Sequence, residues 1–250
     1  MKKQLFTLII TTAIITTACN SNELKVGMDV AGSFLQGVSI TNEQLASKAR
    51  LSAKVMDKKN KVAASNSKYA KRLNKLTKNL KSYEGLNFNY KVYISKTVNA
   101  FAMPDGTVRV YTGLMDIMND DELVAVIGHE IGHVKYQHSL NRYKKAYLAR
   151  AARKGLSAYG GKSAAALADS YGNIGEAFLQ AQFSQNDELQ ADAFGVTLLH
   201  RVGRNPYAAA DAQKKLQAQG GGGGGFFSSH PASSERIKKA TAAADAITKK

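Results

Sequence analysis

Residues 129–133 of the chain read His-Glu-Ile-Gly-His. On an α-helix, residues four positions apart lie on one face, so His129 and His133 can direct their imidazoles at one metal ion. Glu130 lies beside them and can act on a metal-bound water. A zinc hydrolase requires these three groups, a third protein ligand and an open position for water. The pattern therefore predicts a zinc site on a helix, and the alternative is an amphipathic helix with two polar histidines.

The flanking sequence predicts that helix. Asn119 or Asp120 can cap its N-terminus, and acidic residues follow in the first turn. Apolar residues recur near a period of 3.6, at Leu123, Val126, Ile127 and Val134. Gly128 and Gly132 each cost roughly 1 kcal/mol relative to alanine inside a helix. We therefore expect another element, or a substrate backbone, to approach this helix closely.

A third metal ligand is expected downstream, and the best candidate is Glu188. Glu188 and Asp192 are again four residues apart, so both side chains can face the first helix. Glu188 can then bind the metal, while Asp192 accepts the distal N–H of a ligand histidine and fixes its tautomer. The alternative is a charged pair on a solvated helix face.

Four segments of the chain together resemble one known family: HEIGH at 129–133, ELQAD at 188–192, NAFAMPDGTVRVYTGLMD at 99–116 and HPASSERI at 230–237. They are similar to the zinc metallopeptidases that include the CAAX prenyl protease, HtpX and the mitochondrial Oma-type protease, particularly their short bacterial lipoprotein members. The resemblance extends from about Ser65 to Ile237. It implies one Zn²⁺ per chain, held by His129, His133 and Glu188, with Glu130 as general base.

The resemblance also implies an α+β fold: a mainly helical, zincin-like metallopeptidase domain with a small antiparallel sheet beside the HExxH helix. Alternating apolar residues predict a strand over 88–94, and Pro104-Asp105-Gly106 predicts a hairpin between 99–103 and 107–112. In this family the edge strand lies over the active site, where an extended peptide can add as a further strand. Asn99, Ala100, Phe101 and Ala102 are the expected substrate-binding residues; a purely structural edge is the alternative.

His230 and Arg236 follow a run of six glycines and are candidates for catalysis. They can donate to the oxyanion that develops on the scissile carbonyl. Alternatively, His230 can bind the zinc and close its open position, or the two residues can form an ordinary loop with a salt bridge. His138 and His200 are interpreted as helix-surface histidines.

The N-terminus predicts a lipoprotein. Residues 5–18 form an apolar segment shorter than the roughly 20 residues that cross a hydrocarbon core, and they follow Lys2 and Lys3 as in a secretory signal. Thr16, Thr17 and Ala18 precede Cys19, the only cysteine, which we expect to be lipidated; the alternative is a plain signal peptide with an incidental cysteine. The predicted organisation is a signal peptide at 1–18, a lipidated tether at 19–40 and a single metallopeptidase domain at 41–250. Asn20, rather than Asp, favours sorting to the outer membrane, facing the periplasm.

The composition is basic, with 35 Lys and Arg against 19 Asp and Glu and a formal net charge of +16. The lysines are scattered over helical faces without interleaved aromatic residues, so we expect no nucleic acid partner but attraction to anionic lipid or acidic substrate. Further helices are predicted at 41–57, 66–80, 174–201, 206–219 and from 233.

Taken together, these patterns predict a membrane-anchored periplasmic zinc metalloendopeptidase of the gluzincin type. Its expected partners are the membrane and polypeptide substrates, especially unfolded or damaged envelope proteins. The alternative is a latent or non-catalytic binding protein or chaperone that uses the same groove. An intact Glu130 favours the enzyme, because a binder does not need a general base.

Overall fold

The structure is a computed structural model that describes residues 39–159, 170–219 and 225–249. The predicted signal peptide lies outside the described residues, and so do most of the predicted tether and most of the glycine run. The helices are α1 (Asn42–Lys59), α2 (Lys68–Leu76), α3 (Thr112–Ile117), α4 (Asp120–Lys135), α5 (His138–Tyr159), α6 (Ser170–Gln180), α7 (Gln185–Arg201), α8 (Ala208–Ala218) and α9 (Ser234–Thr248). The strands are β1 (Ser82–Tyr83), β2 (Leu86–Asn87), β3 (Asn89–Tyr93), β4 (Ala100–Ala102) and β5 (Thr107–Tyr111). The mainly helical α+β class is confirmed.

The larger sheet has three strands in the order β3-β5-β4. The predicted hairpin is present, with β4 antiparallel to β5 and Phe101 opposite Arg109. The sheet is mixed rather than wholly antiparallel, because β3 joins β5 in parallel. This order leaves β4 at an edge, and the helix that carries His-Glu-Ile-Gly-His packs beside β4.

Two apolar cores lie on either side of this sheet. One contains Val92, Val108 and Val110 with much of α4, α7 and α9. The other contains Phe101 and Tyr111, packed against α1, α5 and α6. The sheet therefore fixes α4 relative to the N-terminal helix.

The N-termini of α1 and α4 form as the sequence predicts. Thr41 and Gln44 form a capping box on α1, and Asn119 with Glu122 forms one on α4. The capping box on α4 satisfies backbone donors at its N-terminus that have no partner within the helix.

Glycines allow α4 and α7 to pack closely. A Cβ on Gly128 would lie 3.1 Å from the Cα of Gly195, and one on Gly132 would lie 3.1 Å from the Cα of Ala191. Both distances are shorter than ordinary carbon contacts, so side chains here would push the helices apart. This packing explains why the two costly glycines stand inside α4.

Two helix predictions were wrong in extent. The segment 174–201 is not one helix: α6 ends at Gln180, and Ser184 starts α7 by capping Asp187. Competition by the Ser184 side chain for the backbone N–H breaks the helix there. The helix expected over 66–80 ends at Leu76 and is followed by a 3₁₀ turn over Lys78–Leu80.

A partly buried charge network ties α1 to the sheet. Asp57 on α1 accepts hydrogen bonds from Arg109, Lys91 and Tyr93. Burial alone would raise the pKa of Asp57, but these donors outweigh it and lower the pKa to about 2. Arg109 is itself buried, so Asp57 is the carboxylate that balances its charge.

We therefore expect Asp57 to make folding sensitive to acid. A lowered folded-state pKa contributes stability above the unfolded value, here near 3.8, and this stability is lost as pH falls through about 2; its size is about 2 kcal/mol. The destabilisation caused by Asp57→Asn should thus shrink by that amount between pH 6 and pH 2. Urea unfolding at several pH values measures this change in stability. Asp211→Asn, which removes the exposed ion pair of Asp211 with Lys214, is the control. A destabilisation independent of pH would contradict the expectation.

Candidate metal centre

Helices α4 and α7 bring the predicted site residues together. His129 and His133 lie one turn apart on α4, and Glu188 lies in the first turn of α7 against them. His230, just after the 3₁₀ turn Phe226–Ser228, completes a buried group of four potential ligands. One donor atom from each lies within 4.8 Å of all the others.

The donor atoms of this group converge on one point. His129 Nε2 lies 3.0 Å from His133 Nε2 and 3.1 Å from His230 Nδ1. Glu188 Oε1 lies 3.0 Å from His230 Nδ1 and 3.4 Å from His133 Nε2. Ligands at zinc distances of about 2.0–2.2 Å in a tetrahedron lie roughly 3.3–3.5 Å apart, so the observed separations suit a single Zn²⁺.

The protonation states of the site residues also favour a cation between the four donor atoms. His129 Nδ1 lies 2.8 Å from Asp192 Oδ1, so its Nε2 presents a lone pair to the centre of the group. Glu130 Oε1 and His230 Nε2 are buried without a hydrogen-bond partner among the described residues. Burial lowers the pKa of His230 to about 4, which keeps the imidazole in its neutral, metal-binding form. The residues present therefore fit zinc.

A buried ion network holds Glu188 and His129 in place. Arg236 donates from Nε and Nη2 to Asp192, from Nη1 to the carbonyl of Pro231, and its Nη1 lies 2.6 Å from Glu188 Oε2. Asp192 in turn pairs with His129 Nδ1. Arg236 is thus occupied by neighbouring protein groups, and its contacts orient the ligands.

His138 is not a surface histidine, so that prediction was wrong; His200, by contrast, is exposed. His138 Nδ1 lies 3.2 Å from His133 Nδ1, and its Nε2 lies 3.1 Å from Gln190 Oε1 and 3.4 Å from Asp187 Oδ1. It therefore faces the far side of a candidate ligand. The signal that could have found it is its position five residues after His133, where the chain turns from α4 into α5.

The segment 226–230 covers the site. Phe226 N donates to Val98 O, and Phe183 N donates to Ser229 O. The ring of Phe226 stacks on His230 with centroids 4.3 Å apart, and His230 is completely buried. These contacts clamp His230 against the ligand group.

Glu130 lies next to the edge strand. The amide of Ala102 donates to its carboxylate, and Glu130 Oε1 lies 3.4 Å from His230 Nε2. Burial raises the pKa of Glu130 to about 7. A carboxylate with such a pKa is suited to take up and release a proton near neutral pH.

The predicted substrate strand is buried in this structure. Asn99 through Ala102 are all inaccessible to solvent, and the carbonyl of Ala102 accepts from Ser139 Oγ on α5. The buried Oδ1 of Asn99 has no partner among the described residues. A peptide can add to this edge only after contacts such as that of Ser139 Oγ with the Ala102 carbonyl are released.

A histidine pair on one helix, a glutamate beside it and a glutamate from a second helix define the class of zinc metallopeptidases. Comparison with known proteins is more specific: residues 63–244 match peptidase family M48, and the chain belongs to that family. It is 36% identical over 240 residues to metalloprotease LoiP of Escherichia coli (strain K12), covering 95% of each chain. It is 37% identical over 235 residues to metalloprotease YcaL of the same organism, covering 92% of each.

A more distant relative is the mitochondrial metalloendopeptidase OMA1 of Arabidopsis thaliana, 30% identical over 157 residues that make up 62% of this chain and 31% of that protein. The family and the buried ligand group make this protein a zinc metalloendopeptidase.

Proposed function

We propose that His129, His133 and Glu188 hold Zn²⁺, which when bound supplies Lewis-acid activation of a water and of the scissile carbonyl. Glu130 takes the proton from the attacking water and gives it to the leaving amine. Asp192 fixes the tautomer of His129, and Arg236 positions Glu188 and Asp192 through its buried ion pairs. The single observation that carries this proposal is the convergence of the four donor atoms.

His230 decides whether this site is open. Catalytic zinc sites keep one position for water, whereas four protein ligands fill a tetrahedron. Since His230 Nδ1 lies as close to His129 and Glu188 as the other donors do, we infer that the described arrangement is latent and that His230 must withdraw before catalysis. The oxyanion role expected from the sequence would then apply only to a rearranged, open form.

We propose that the enzyme acts at the bacterial cell envelope on unfolded or damaged proteins. The edge strand β4 reads a substrate through its backbone, which suits extended chains without a fixed sequence. Lipidated Cys19, following the signal at residues 1–18, would anchor the domain at the outer membrane, facing the periplasm. Among the described residues, no helix has the length and apolar character needed to cross a membrane.

The membrane proposal predicts that Cys19→Ala abolishes lipidation and releases the protein from the membrane fraction, because only salt-sensitive charge attraction to lipid would remain. Cell fractionation at low and high salt, together with labelling by radioactive palmitate, measures both effects. Cys19→Ser is a second variant that keeps the size of the side chain. Equal labelling of wild-type and variant proteins would refute the lipid anchor.

The competing proposal of a non-catalytic binder is tested by activity. Purified protein should contain about one zinc ion per chain and cleave casein, and a chelator should stop the cleavage. The binder would be favoured if zinc-loaded protein binds casein but never cleaves it, even after segment 226–230 has been released from the site.

A further inference from the structure

Arg142 on α5 is a buried cation with no carboxylate partner among the described residues. Only 5% of it is exposed, and its Nε and Nη2 both donate to one neutral group, the carbonyl of Phe178. No Asp or Glu among the described residues lies within 4.0 Å of its guanidinium. Arg109 and Arg236, the other arginines that are buried in the part of the chain whose side chains are described, each form ion pairs with a carboxylate at 2.6–2.8 Å.

Arg142 lies close to the metal centre. Its guanidinium is packed between the rings of Phe178 and Phe183, at 4.1 and 4.2 Å from their centroids. Phe183 stacks on His133 with the centroids 3.7 Å apart. One aromatic ring thus separates the guanidinium from a proposed zinc ligand.

Arg142 also lies beside the proposed peptide groove. Ser139, one helical turn earlier on α5, donates to the carbonyl of Ala102 on the edge strand. Residues three apart on a helix share a face, so Arg142 faces the same side of α5 as this contact. Arg142 therefore lies on the side of α5 that contacts β4.

An unpaired buried charge is costly, and retaining it indicates a partner that arrives later. Glu130 and Glu188 attract Arg142 only across a distance, and burial still lowers the pKa of Arg142 to about 9. At neutral pH the group therefore stays charged. The two rings and the Phe178 carbonyl hold it in one orientation, as binding sites require.

We propose that Arg142 forms a carboxylate-binding subsite of the peptidase, which selects peptides that carry a carboxylate close to the scissile bond. Arginine suits this task because its planar nitrogens can bind a carboxylate. The carboxylate can come from a Glu or Asp side chain or from the C-terminus of the peptide. This proposal rests on the proposed function, since it assumes that peptides bind along the edge strand β4.

The test uses full-length protein in detergent carrying Glu130→Gln, which prevents cleavage, and Phe226→Ala, which removes the ring that holds His230 at the site, so that peptides can bind. The probes are fluorescein-labelled heptapeptides that differ by one Glu or Gln at each position in turn, each made with a free and an amidated C-terminus. Fluorescence anisotropy gives the Kd values. At one position, or at the free C-terminus, we expect the carboxylate to bind at least about tenfold more tightly than its neutral match. Comparing the gain in affinity from a Glu side chain with that from a free C-terminus shows which carboxylate the site binds.

Adding Arg142→Met should bring each of these ratios to about one, and Arg142→Lys should keep part of the preference. Arg201→Met, which removes an exposed arginine on α7, is the control and should leave the ratios unchanged. A carboxylate preference that survives in Arg142→Met overturns the proposal. If Arg142→Met fails to fold, the Glu to Gln ratio of the parent protein still decides, because no preference for any carboxylate also overturns the proposal. Casein cleavage by wild-type protein is measured separately, so failure of the proposed function is distinguished from failure of this subsite.

Discussion

Glu130→Gln is expected to lose at least about a hundredfold in peptidase rate while the protein keeps near-stoichiometric zinc. Glutamine has the shape of glutamate but cannot take a proton from water. Glu130 is outside the group of converging ligand atoms, so metal binding should survive its replacement. Casein cleavage and zinc content of the same preparation provide the two measurements.

Ligand variants are the matched comparison. His133→Ala and Glu188→Ala should lose both zinc and activity, because each removes one of the converging donor atoms. Loss of zinc from Glu130→Gln would contradict the assigned role of Glu130. Retention of zinc by Glu188→Ala would show that a different residue is the third ligand, with His230 the first to examine.

The sequence was sufficient to predict which helix faces meet at the site. The spacing of four residues in both 129–133 and 188–192 places the side chains on single faces, and the glycines of α4 indicated close packing there. Capping residues placed the start of α4 at Asn119 or Asp120, and the structure has Asn119 as the cap. These features are local, so they depend on neighbouring residues rather than on the rest of the fold.

Long-range features escaped sequence analysis. The parallel pairing of β3 with β5 joins segments whose local alternation is the same for either direction. His138 was assigned to the surface because its burial depends on Gln190 and Asp187, which α7 brings from fifty residues away. The burial of Arg142 without a described carboxylate partner is likewise visible only once α5 packs against Phe178 and Phe183.

His230→Ala is expected to raise peptidase activity and to weaken zinc binding. The side chain lies among the ligand atoms, with Nδ1 3.1 Å from His129 Nε2 and 3.0 Å from Glu188 Oε1. Its removal takes away one donor and opens the position that a catalytic water requires. The size of the gain measures how strongly the closed arrangement is populated, because a ligand-capped enzyme is active only in its open fraction.

A role at the oxyanion would give the opposite result. Activity would then fall, with kcat and kcat/KM reduced together and zinc affinity unchanged, because the lost contact exists mainly in the transition state. Phe226→Ala is a useful second variant, because it removes the ring that stacks on His230 and leaves the candidate ligand side chains unchanged. If His230 caps the zinc, Phe226→Ala should also raise activity, because the imidazole loses the support that holds it at the metal. The peptidase rates and zinc dissociation constants of both variants therefore show whether His230 caps the zinc or donates to the oxyanion of the substrate.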